Sequence, residues 1–133
     1  MDDAKHGRGS VIGTGGRRYE GDFVDGRWEG QGTLTLTDGS NYQGGWIDSK
    51  RHGKGICKWP NGKTYEGDFV DDQEHGQGTE TLANGEEYVG GFRGGKRQGR
   101  GMLSKGDKQY DMQYELGKEV ETQFQNHIFR EPQ

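Results

Sequence analysis

The sequence predicts an all-β protein, an elongated single antiparallel sheet of stacked β-hairpins closed by a short C-terminal capping helix or strand. Three observations predict it. Gly-x-Gly recurs at Gly7/Gly9, Gly30/Gly32, Gly53/Gly55, Gly76/Gly78 and Gly99/Gly101, each copy 23 residues after the last. Tyr19, Tyr42, Tyr65 and Tyr88 keep the same step, and Phe23, Trp46, Phe69 and Phe92 each stand four residues after their Tyr. Asp38-Gly39, Asn61-Gly62 and Asn84-Gly85 fall between them, dipeptides that accept φ > 0 and read as tight hairpin turns. Self-similarity at a fixed period means that each unit is one supersecondary element, stable only when stacked on its neighbours.

Taken in order, residues 1–18 read as a partial first repeat. Asp2-Asp3-Ala4-Lys5-His6-Gly7-Arg8-Gly9 aligns column for column with Asp71-Asp72-Gln73-Glu74-His75-Gly76-Gln77-Gly78, so the expectation is an array cut from a longer one, with Met1 as its initiator. Residues 19–117 hold the repeats. In residues 19–41 a strand period of two puts Tyr19, Gly21 and Phe23 on one face and Glu20, Asp22 and Val24 on the other. After a D-G-R-W-E connection, Gly30, Gly32, Leu34 and Leu36 alternate with Gln31, Thr33, Thr35 and Thr37. First strands of successive units are roughly 9.5 Å apart, beyond the roughly 4.5–7 Å of a direct ring pair. The expectation is therefore that large rings lie over side-chain-free Gly positions of the intervening strand, with Leu36, Trp59 and Leu82 closing the gaps. The last unit degrades, since Tyr110 arrives one residue early and Tyr110-Asp111-Met112 lacks its Gly, while Tyr114 keeps the second aromatic column. Residues 118–133 form a cap and tail. Val120, Phe124 and Ile128 recur every four residues as in a helix, yet Val120-Thr122-Phe124 also alternates as in a strand.

Composition alone would place the chain among disordered proteins. Leu, Ile, Val and Phe make only 19 of 133 residues, and mean hydropathy is -1.23, too apolar-poor for a conventional two-layer core. The registered aromatics overturn that reading, because each ring buries about 150–250 Å². Net charge is -4, which gives no electrostatic footprint for nucleic acid. A single cysteine, Cys57, cannot form an internal disulfide and points to a cytoplasmic, reducing setting.

The run Y-E-G-D-F-x-D-G-x-x-x-G-x-G-T-L-x-x-x-D-G resembles the MORN repeat (membrane occupation and recognition nexus). The resemblance spans about residues 2–117 and is clearest at Tyr19, Tyr42 and Tyr65; at Tyr88, Val89-Gly90-Gly91 replaces Glu-Gly-Asp. It implies stacked antiparallel hairpins in an elongated, twisted sheet. It also implies a non-catalytic role in protein interaction or membrane association, as in radial-spoke and cytoskeletal scaffolds, junctophilins, and modules beside phosphatidylinositol phosphate kinase or methyltransferase domains.

Catalytic and metal chemistry find no foothold. Gly90-Gly91-Phe92-Arg93-Gly94-Gly95-Lys96 has the spacing of a phosphate-binding loop, but Arg97 stands where a metal-binding Ser or Thr is required. His6, His52 and His75 share one column with Glu29 and Gln98, and column neighbours roughly 9.5 Å apart cannot meet on one ion. These histidines read as solvent-facing or turn-bonding. Cys57 occupies the Leu34 column and reads as a small half-buried hydrophobe. The carboxylates Glu20/Asp22, Glu66/Asp68 and Asp71/Asp72/Glu74 recur along the ribbon rather than converge on one constellation. No cofactor and no metal is expected.

The leading expectation is a scaffold whose aromatic face, with Tyr19, Phe23, Tyr42, Trp46, Tyr65, Phe69, Tyr88 and Phe92, receives an extended segment or amphipathic helix of a protein partner. Trp28, whose column elsewhere holds Lys5, Arg51, Glu74 and Arg97, is expected on an exposed connection as an added contact. The alternative is acidic phospholipid or an acidic partner at Lys50, Arg51, Lys54, Lys58 and Lys63 and at Lys96, Arg97 and Arg100. A third reading is a targeting segment cut from a larger enzyme. Open end strands also make a homodimer an expectation.

Overall fold

The computed structural model describes residues 5–120. Eleven strands form one sheet, each hydrogen-bonded antiparallel to the next in chain order. They are β1 Gly7–Ile12, β2 Arg18–Val24, β3 Arg27–Thr35, β4 Asn41–Ile47, β5 Lys50–Lys58, β6 Thr64–Val70, β7 Gln73–Thr81, β8 Glu87–Arg93, β9 Lys96–Lys105, β10 Lys108–Glu115 and β11 Lys118–Glu119. One short 3-10 turn, Thr14–Gly16, links β1 to β2. Where a terminal cap was expected, Lys118 and Glu119 form a two-residue strand against Tyr114 and Glu115; the expected helix falls largely on residues 121–133, outside the described residues.

The two turn classes exchange the roles expected of them. Asp25-Gly26, Asp48-Ser49, Asp71-Asp72 and Gly94-Gly95 have positive φ at both residues, the signature of two-residue hairpin turns whose twist matches the strands. By contrast, Gly39 N–H donates to Leu36 O at 3.0 Å and only Gly39 of that dipeptide has positive φ, 96°. Asp38, Asn61 and Asn84 close these wider turns by accepting the amides of Ser40, Lys63 and Glu86.

The β2–β3, β4–β5, β6–β7 and β8–β9 hairpins each carry a bulge that strict alternation cannot register. Gly21 pairs Gly32 and Phe23 pairs Trp28, so Asp22 faces three residues, Glu29 to Gln31. The two glycines of Gly-x-Gly consequently do different things. Gly30, Gly53, Gly76 and Gly99 sit at the bulge with φ of 92°, 82°, 79° and 78°, a backbone state that side chains other than glycine's resist. Gly32, Gly55, Gly78 and Gly101 lie flat beneath the rings of Tyr19, Tyr42, Tyr65 and Tyr88, where an added Cβ would run into the ring itself.

The rings nonetheless touch one another. Each Tyr meets its own second aromatic edge-on and that of the next unit as well: Tyr19–Phe23 5.2 Å, Tyr19–Trp46 5.4 Å, Tyr42–Phe69 5.0 Å, Tyr65–Phe92 4.9 Å and Tyr88–Tyr114 5.4 Å between centroids. The expected gap between units is bridged because the Tyr ring leans along the sheet over glycine, so the partner that reaches it is the Phe or Trp one strand pair on. Edge-to-face contacts of this kind contribute about 0.5–1.5 kcal/mol each beyond area burial. Leu36 is exposed and joins no core cluster; Leu34, Cys57 and Leu103 fill the spaces expected of Leu36 and Leu82, while Trp59 does pack there.

Candidate functional site

Position on the sheet decides what each expected contact residue can do. All eight column aromatics, Tyr19, Phe23, Tyr42, Trp46, Tyr65, Phe69, Tyr88 and Phe92, are at most 4% exposed. Their edges are anchored too. The hydroxyls of Tyr19, Tyr42, Tyr65 and Tyr88 donate to the carbonyls of Asp22, Gly45, Asp68 and Gly91 at 2.8, 2.9, 2.9 and 3.3 Å. These are carbonyls of the residues that the bulges skip, so the hydroxyl satisfies an acceptor that the ladder leaves over. Burial, the largest cause, pushes the Tyr19 hydroxyl up to about 12 and raises those of Tyr42, Tyr65 and Tyr88. Trp46 Nε1 donates to Gly32 O at 3.0 Å.

What covers the rings is the column of Lys5, Trp28, Arg51, Glu74 and Arg97, with Lys5 Nζ 5.8 Å over Phe23. Contrary to its expected place on a connection, Trp28 lies within β3, half-buried, its indole stacked 4.3 Å from Tyr19 with the planes 3° apart and 5.1 Å from Trp46. Asp25-Gly26 is the actual turn, and that dipeptide could have located Trp28 opposite Phe23. Arg51 continues the column over Tyr42 and Phe69 at 5.7 and 5.1 Å, and Arg97 over Tyr88 and Tyr114 at 4.5 and 5.2 Å. Guanidinium over a ring face is a favourable cation–π placement. The same column ties units together, because Ser49, Asp72, Gly95 and Gly117 amides donate to the carbonyls of Trp28, Arg51, Glu74 and Arg97.

Glu74 is the exception in that column. Burial foremost, with Glu80 adding to it and Lys63 and Arg51 opposing, pushes its carboxyl up to about 6. Glu80 takes the place that Leu34, Cys57 and Leu103 hold elsewhere and was not singled out from the sequence. It is 8% exposed, with Arg97 at 2.8 Å and Lys63 at 3.1 Å, and Arg97 Nη1 also donates to the Tyr114 hydroxyl at 2.7 Å. Burial works against the Arg97 charge, but the bonds to Glu80 and Tyr114 outweigh it.

The residues considered for acidic ligands divide between the faces. Arg51 pairs with Asp72, Lys54 with Asp68, and Lys63 and Arg97 with Glu80. Lys50, Lys58, Lys96 and Arg100 are exposed strand residues. Burial pushes the Cys57 thiol up and outweighs Arg51, whose Nη1 donates to Sγ at 3.3 Å and works the other way; the balance is that of a buried thiol and not an activated thiolate. His6 accepts the Asp25 amide through Nδ1 at 3.3 Å, just as Glu29 and Gln98 accept those of Asp48 and Leu116. Among the described residues no group of three potential ligands gathers around a metal position.

MORN-repeat family models match residues 19–41, 42–64, 65–87 and 88–109. The chain belongs to the MORN-repeat family. Those matches cover four hairpin repeats; the glycine column extends past them through Gly7 and Gly9 of β1, and the ring column through Tyr114. None of the curated proteins compared with this MORN array matches it. Among the described residues no helix is long and apolar enough to cross a membrane.

Proposed function

We propose that this MORN array is a non-catalytic scaffold or adaptor module that binds a segment of a protein partner along the face bearing the aromatic ladder. The observation that carries the reading is the single-layer architecture: among the described residues the ring face is covered only by side chains of the sheet itself, with no second sheet or helix packed on it. A partner would meet that cover and the partly exposed Trp28 and Trp59, with the buried rings acting as their rigid support. Internal ion pairs already engage Arg51, Lys54, Lys63 and Arg97, which favours protein over lipid, since a phosphoinositide site needs uncommitted cations.

The test is selection of displayed random peptides on the immobilised chain, with the contact face mapped by NMR, beside flotation on phosphoinositide-containing vesicles at low salt. Enriched peptides that move aromatic-face signals, without flotation, are expected. Flotation without peptide enrichment would replace this reading with the lipid one.

A further inference from the structure

The aromatic face has one opening that the ring ladder does not require. A slot of about 470 Å³ lies over the first two repeats, with Leu34 and Cys57 in its lining and the indoles of Trp28 and Trp59 beside them. Both indoles depart from their columns: Arg51, Glu74 and Arg97 replace Trp28 in later units, and Leu36 and Leu82 flank Trp59 in the units before and after. The repeat frame therefore forms without either, and neither needs to be tryptophan for stacking. Each indole carries a cation of its own chain, Arg17 at 5.4 Å over Trp28 and Lys63 at 4.8 Å over Trp59.

The rim charge is unbalanced. Its lining holds three cations, Arg17, Arg51 and Lys58, against two carboxylates: Asp72 is paired with Arg51, and Asp38, which accepts the Ser40 amide, keeps its negative charge. Arg17 and Lys58 have no carboxylate partner among the described residues. One excess positive charge thus borders a slot that Trp28, Trp59, Leu34 and Cys57 make largely apolar.

We propose that this slot seats one large apolar side chain of a partner segment whose neighbouring residues are acidic. The inference rests on the scaffold reading and specifies its partner chemistry. Rigid indoles supply contact area at low rotamer cost, and Arg17 and Lys58 orient the flanking carboxylates.

The experiment follows the indole N–H signals of the full chain by NMR during titration with three acetylated pentapeptides: Glu-Asp-Phe-Glu-Asp, Lys-Lys-Phe-Lys-Lys and Glu-Asp-Ser-Glu-Asp. Only the first should move Trp28 and Trp59 saturably, with Trp46, bonded to Gly32 O, shifting little. Its affinity should fall about tenfold in an Arg17→Glu/Lys58→Glu variant. Equal binding of the basic peptide, or undiminished binding by that variant, overturns the proposal. So does a concentration-dependent shift of both indoles without peptide, which would assign the slot to a second copy of the chain. Peptide shifts elsewhere on the aromatic face, with both indoles still, reject the slot and leave the scaffold reading standing; silence here and in the displayed-peptide selection rejects both.

Discussion

Over Tyr19 lies the indole of Trp28, with Leu34 and Cys57 filling the adjoining column, whereas near Tyr65 stands Glu74, with Glu80 buried between Lys63 and Arg97. The first two repeats cover their rings with apolar groups and one guanidinium; the next two use a salt-bridged network. Beneath both covers the same rings rest on the same glycines with the same tyrosine-to-carbonyl bonds. The frame is therefore set by ring and glycine, and the covering column is where the repeats are free to differ.

Breaking the shared frame should cost most. Gly55→Ala places a Cβ inside the Tyr42 ring and should lower unfolding free energy by about 3 kcal/mol or more in urea titrations. Gly39→Ala, at a turn with φ of 96° and open space around the added Cβ, should cost only about 1 kcal/mol. In the charged half, Glu80→Ala strands Arg97 and Lys63 and should cost about 3 kcal/mol. Glu80→Leu with Arg97→Met, which gives this half an apolar cover, should recover most of that loss in the same titration.

A smaller effect sharpens the contrast. The Glu74 carboxyl titrates near 6 in the fold against an ordinary 4.5, so its ionised form is disfavoured by folding at neutral pH and stability rises as pH falls from 7 towards 4.5. Below that range the trend turns, because Asp68, held low first by its bond from Lys54, loses its contribution once protonated. Glu74→Gln should raise stability at pH 7 by about 1 kcal/mol after screening is allowed for, and should flatten the rise seen on acidification by calorimetry. Smallest of all, Trp28→Arg restores the residue type of Arg51 and Arg97 and should change stability by less than about 1 kcal/mol, while abolishing the indole contact proposed for the slot.

Much of the frame was legible because it repeats. The 23-residue step located the hairpins, their faces and the glycines that seat the rings. What stayed hidden depends on local departures from a period of two. The bulge opposite Asp22 adds two residues to β3 and makes Gly30 a conformational glycine, although alternation puts it in the same class as Gly32. Reading D-G-R-W-E as one connection concealed the Asp25-Gly26 turn and with it the place of Trp28. Strand spacing alone kept the rings of successive units apart; the lean of Tyr over glycine, which closes that distance, is a side-chain direction that spacing does not encode. Glu80 escaped notice because its column neighbours are apolar, and its partners Lys63 and Arg97 stand 17 residues away on either side.

The most direct test of ring seated on glycine is a double-mutant cycle between Tyr65 and Gly78 read by equilibrium unfolding. Gly78→Ala should cost about 3 kcal/mol in the parent chain yet be nearly free in a Tyr65→Ala background, a coupling of about 3 kcal/mol. Additive costs would show that the ring does not rest on that glycine and would contradict the account.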